Sequence, residues 1–181
     1  MTRRDRLRRT GHLCLHSLRN LAFYRAAHEA RKVWAGKQFW ASSHNNFLDI
    51  AVLEWCKVFG DKRAKHYWDK AVLNKHDFFP QLLDHLRLTD DFFDQYILEM
   101  RTYRDKFLAH LDEENVMNIP NMTPAIKSAQ FLYQWIISKE DDCNAFWDAP
   151  DNAVEFFKTF LAEGRSVHAA HTATSQENPS K

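Results

Sequence analysis

Arg104 and His110 are the side chains whose types and spacing could act together chemically; both lie in the stretch RTYRDKFLAHLDEE, residues 101–114. A guanidinium offers a planar fork of donors matched to phosphate or carboxylate oxygens and stays charged at any working pH. An imidazole titrates near pH 6.5 and can take or give a proton. Gathered in one cleft, such groups could grip a phosphodiester, whose acid–base cleavage needs one group to accept a proton and one to donate it. Asp105 follows the arginine directly, and Arg101, Tyr103 and Lys106 flank it as candidate substrate-binding residues.

The element carrying them reads as a helix. Phe93, Ile97, Met100, Arg104, Leu108 and Leu111 follow one another at three-to-four spacing, one face of an α-helix, so Arg104 stands where an apolar residue is due. A charge on a core-facing stripe is costly unless it meets a carboxylate, a phosphate ligand or a subunit interface. On an ideal helix, His110 lies about 240° around and about 9 Å along from Arg104, so the two do not share a face. A bend or bulge, a long reach by Arg104, or a second copy of the helix across a two-fold axis would reconcile them. If Arg104 instead pairs within the fold, Asp49 and Glu54 are candidate partners, and His110 then caps its own helix end.

The surrounding chain reads as all-α, a compact bundle of about six or seven helices. Apolar residues make up 45% and aromatics 14%, enough for a core, while 4 Gly and 5 Pro leave few breaks and no alternating strand pattern appears. The spacing predicts a long first helix from about Arg6 to Ala41. SSHNN, residues 42–46, then reads as caps for a helix over Phe47 to Phe59 that Gly60 ends. Shorter helices are predicted over about Ala64 to Leu73 and from Asp77, with Pro80 in the first turn. Thr89, followed by Asp90 and Asp91, caps the helix bearing Arg104, which is predicted to run to about Leu111. Thr123 and Pro124 open another to Ser138, and a last helix spans Ala153 to Ala162 before Gly164. This gives one helical domain over residues 1–164 and a disordered tail over 165–181.

The formal net charge of +1 conceals an asymmetry: Arg3, Arg4, Arg6, Arg8, Arg9, Arg19, Arg25, Arg31 and Lys32 face only Asp5 and Glu29 within residues 1–32. That basic end suits nucleic-acid phosphates and equally suits a solvated helix face, and the sequence leaves both open. Apolar runs fall short of the roughly 18 to 20 residues that cross a bilayer, and there is no secretory signal, so the expectation is a soluble, cytoplasmic protein with no membrane partner. Cys14, Cys56 and Cys143 lack metal or disulfide spacing and read as buried free thiols. His12 and His16 lie four apart, a chelating spacing with no third ligand nearby in sequence; His66, His76 and His85 read as surface or satisfied structural residues. The tryptophans read as core. No phosphate-cradling or nucleophile-elbow motif is present, and no metal or cofactor is implied.

RDKFLAH, Arg104 to His110, resembles the R-x4-6-H motif of the HEPN superfamily, compact all-α proteins with a polar residue after the arginine, here Asp105. LAHLDEE and FLDIAVLEWCKVFGD resemble the branch related to bacterial abortive-infection and toxin–antitoxin proteins; the likeness spans about residues 10 to 160. Many members carry Asn where this chain has Asp105. The resemblance implies a metal-independent endoribonuclease acting as a homodimer, with RNA as substrate and a cognate antitoxin or regulatory protein as a further partner. Arg104 would hold the scissile phosphate, His110 would act as general base or acid, and Asp105 would help orient them. The alternative within the resemblance is a non-catalytic HEPN-like module for dimerisation and protein or nucleotide binding.

Overall fold

The computed structural model describes residues 1–31, 37–109 and 118–177. These residues are all-α, with no strand among them: α1 (Arg3–Glu29), α2 (Gln38–Trp55), α3 (Trp68–Ala71), α4 (Lys75–Leu86), α5 (Asp90–Tyr103), α6 (Thr123–Trp135) and α7 (Ala153–Glu177). Three of the helices end in π turns: α2 at Cys56–Gly60, α5 at Arg104–Ala109 and α6 at Ile136–Glu140. Among the described residues, no helix is long and apolar enough to cross a membrane.

α1 is the central rod. It opens with a reciprocal cap, the Asp5 N–H donating to Thr2 Oγ1 and the Thr2 N–H to Asp5 Oδ2, each at 3.1 Å. Its buried residues include Leu7, Thr10, Gly11, Cys14, Leu15, Ser17, Leu18, Leu21 and Ala22, which cover most of its circumference. A helix buried nearly all round must be surrounded, and α2, α6 and α7 pack against it. The aromatic heart lies alongside. Trp55 stacks on Phe59 at 5.2 Å, sets its edge against Tyr96, and donates its indole N–H to Ser128 Oγ at 2.9 Å. Truncating one such ring to alanine costs about 3–5 kcal/mol.

Several sequence expectations need correction. α1 ends at Glu29, well short of Ala41, and α2 begins at Gln38, so SSHNN lies inside a helix. Its hydroxyls serve the helix itself: Ser43 Oγ donates to the Phe39 carbonyl at 2.8 Å, and Gln38 Nε2 donates to Ser42 Oγ at 3.2 Å. α3 is a single turn, and α4 starts at Lys75, which puts Pro80 in its second turn. α6 is capped from Met122, one residue before the expected Thr123.

The largest correction concerns Gly164. α7 passes through it to Glu177, so the expected tail at 165–177 is helical; residues 178–181 lie outside the described residues. A Cβ at Gly164 would stand 2.8 Å from Ala26 Cβ, which makes this glycine the point where α7 crosses α1, not a terminator. Arg165, forked onto Glu29 at 2.7 and 3.0 Å, fixes the same crossing. Cys14 and Cys56 are buried as expected, but Cys143 is exposed. Trp147 is exposed too, against the expectation of a core role.

Candidate functional site at the end of α5

Of the stripe predicted for α5, Phe93 and Met100 are buried and Ile97 is half-buried; Tyr96 and Tyr103, outside that stripe, are buried beside them, and Thr89 Oγ1 caps the helix by accepting from the Phe92 N–H. At Arg104 the helix changes to a π turn. There the bonds close i→i+5, so each turn holds more residues and the ideal-helix offset between Arg104 and later positions no longer applies. The bulge is thus one of the three ways in which the motif could be reconciled. His110 itself lies outside the described residues.

Arg104 is gripped from two sides. Its Nη1 donates to Asp61 Oδ2 at 2.7 Å and its Nε to Asp105 Oδ1 at 2.8 Å, with its side chain 16% exposed. The hydrogen bond to Asp105 chiefly pushes its pKa above the ordinary arginine value; burial opposes the rise and the bond to Asp61 adds to it. Asp61 is placed by the neighbouring π turn, its own N–H donating to the Cys56 carbonyl at 2.9 Å. Neither Asp49 nor Glu54 is the partner. Asp49 Oδ1 accepts from the Tyr103 hydroxyl at 3.0 Å, and Glu54 lies 3.2 Å from Lys57 Nζ and 3.7 Å from His16 Nδ1. Burial pushes the Asp49 carboxyl up and the tyrosine bond draws it back.

The residues expected to bind substrate do not converge. Arg101 lines a cleft of about 600 Å³ with Gly60, Asp61, Lys62, Arg63 and Ala64. Tyr103 and Lys106 instead border a cavity of about 510 Å³ on the side of Gln95, Leu98 and Ile119. The first cleft is the one next to Arg104, because Asp61 belongs to both. Beside it, burial pushes the Cys56 thiol up to about 12, which leaves it a protonated packing group.

Sequence reasoning missed Asp61. It follows a glycine read only as a helix stop, and nothing in local spacing links it to an arginine far along the chain. It missed Lys62 and Arg63 as lining for the same reason.

The basic face of α1 is in large part structural. Arg8 forks onto Asp148 with both bonds at 2.8 Å, and Arg3 bonds Glu140 and Asp142. Among the described residues, no three of His, Cys, Asp and Glu are grouped so that they could hold a metal ion. No family model matches the sequence, and comparisons with curated proteins and with solved structures find no match.

Proposed function

We propose that the chain is a HEPN-type, metal-independent endoribonuclease that acts as a homodimer in phage defence or a toxin–antitoxin system, held in check by a cognate partner in the cytoplasm. The observation that supports this most is Arg104 itself: inside the R-x5-H stretch, a mostly buried guanidinium abuts a cleft whose rim carries Lys62, Arg63 and Arg101. Asp61 then occupies the place a scissile phosphate would take, and RNA binding exchanges one anion for another. His110 of each protomer, brought to a shared cleft, would supply a base for the 2′-hydroxyl and an acid for the leaving 5′-oxygen, giving a 2′,3′-cyclic phosphate. Asp105 keeps the guanidinium in its plane from the Nε side.

The double pairing of Arg104 favours a second reading, a non-catalytic helical module in which this charge cluster serves dimerisation and protein or nucleotide binding. RNA incubated with the purified protein in excess chelator separates the two. Cleavage to cyclic-phosphate ends that falls about 10²- to 10⁴-fold in His110→Ala supports the nuclease. Equal activity in both proteins, no activity in either, or 3′-hydroxyl ends defeats it.

A further inference from the structure

A second cleft, of about 470 Å³, gathers side chains from three separate segments: Arg9, His12 and His16 from α1, Glu54 and Lys57 from the end of α2, and His66 from the loop before α3. The sequence offered only the His12–His16 pair. The fold supplies a third imidazole and two cations.

The charge balance of this cleft favours an anion over a metal. Glu54 is its acidic lining residue, and its Oε1 is already shared by Lys57 and His16. Arg9 has no ion-pair partner among the described residues. His66 is pushed toward its neutral form by burial and then by the positive charges of Arg9, Lys57, Lys65 and Arg6. His12 is shifted the same way by burial and by Arg8, with Asp148 opposing. Such a field repels a metal ion and attracts an anion. Polar atoms are also left over: His66 Nδ1, Arg6 Nε and Glu54 Oε2 are buried without a hydrogen-bond partner. Buried polar atoms of this kind are normally satisfied; of the three, the His66 ring nitrogen belongs to a residue that lines the cleft and can donate to an anion, whereas Arg6 lies outside the lining and Glu54 Oε2 is an acceptor that calls for a donor.

We propose that this cleft binds the phosphoryl group of a phosphate ester, with Arg9 and Lys57 providing charge and His12 and His66 providing ring N–H donors. An arriving phosphate supplies an acceptor for the His66 ring N–H and offsets the mutual repulsion of the cations around His66. It also favours protonated imidazoles, so the pKa of His66 rises when the site fills. The cleft shares no lining residue with the one beside Arg104, so it stands or falls separately from the nuclease reading.

Calorimetric titration at pH 7 and constant ionic strength, with inorganic phosphate, adenosine 5′-monophosphate and the dinucleotide ApA as separate probes, tests the site. Saturable binding is expected, weakened at least about tenfold in Arg9→Gln and in His66→Asn, which is the scale of one lost charge-assisted hydrogen bond. Arg9 is exposed, so its variant should fold even if the other does not. In the wild-type chain, NMR titration of the His66 ring should show its pKa rising on ligand addition. Binding of phosphate and the monophosphate without ApA identifies a terminal-phosphate site, whereas binding of ApA identifies a backbone-phosphodiester site. No saturable binding of any probe, or binding undiminished in both variants, overturns the proposal.

Discussion

Arg3 and Arg104 each hold two carboxylates, but burial is distributed in opposite ways. At the start of α1, Arg3 is 35% exposed and its partner Glu140 only 3%. At the end of α5 the cation is the hidden member, Arg104 at 16% against 37% for Asp61. Glu140 is also fully occupied: Oε1 accepts from the Leu73 N–H and the Trp135 indole, and Oε2 from Arg3 Nη2. A buried acid satisfied from three directions ties α1, α6 and the link between α3 and α4 together. A buried arginine whose acid faces a cleft can exchange that acid for another anion. Both arrangements depend on π turns, since Glu140 closes the one after α6, Asp61 follows the one after α2, and Arg104 begins the one after α5. The extra residue in such a turn shifts the following side chains off the α-helical register, so the same local device serves a structural lock in one place and a candidate site in the other.

The contrast is broken most directly at Glu140. Glu140→Ala removes the acceptor for two part-buried donors and the buried one of Arg3's two partners, and should destabilise the protein by about 3–5 kcal/mol. At roughly 2–4 °C per kcal/mol for a chain of this size, the melting temperature should fall by at least about 6 °C, measurable by calorimetry. A loss under about 1 kcal/mol would mean that Glu140 is no lock.

Arg104→Ala comes next. Its two acids are substantially exposed and can return to water, so the cost reduces to two charge-assisted hydrogen bonds and the packing of the arginine stem, about 2 kcal/mol by chemical denaturation. A cost equal to that of Glu140→Ala would erase the distinction between the two clusters. Under the nuclease reading, RNA cleavage is abolished in the same variant while most of the stability remains.

The two clusters also differ in how far they can be read from the sequence. Arg104 stands out because it interrupts an apolar stripe, and Thr89, Phe93 and Met100 behave as their spacing predicts, since caps and helix faces are decided within a few residues. Asp61 and Glu140 do not stand out. Their roles depend on π turns, which have no spacing rule in the sequence, and on partners brought in from other helices. Gly164 fails for a different reason: a glycine that permits a turn and one that permits a close helix crossing look alike until Ala26 is placed beside it. His66 is the same problem at the second cleft, a scattered histidine in sequence and the third imidazole of a pocket in the fold.

The smallest expected effect on stability is the most discriminating. Asp61→Asn keeps the side chain's shape and its ability to accept from Arg104 while removing its charge, and Arg104 retains Asp105. Because Asp61 is more than a third exposed, the stability cost should stay within about 1 kcal/mol. The electrostatic consequence is larger than the structural one. The cleft shared by Lys62, Arg63 and Arg101 loses its acid, so a phosphate approaching Arg104 there meets a neutral amide in place of a carboxylate. Under the nuclease reading, RNA affinity measured across a salt series should rise, and the slope of log K against log salt should steepen by about 0.7, the increment for one additional single-strand phosphate contact. An unchanged slope would mean that Asp61 does not stand where phosphate binds. A large loss of stability would make the Arg104 cluster a lock of the same kind as Glu140, and would favour the non-catalytic module.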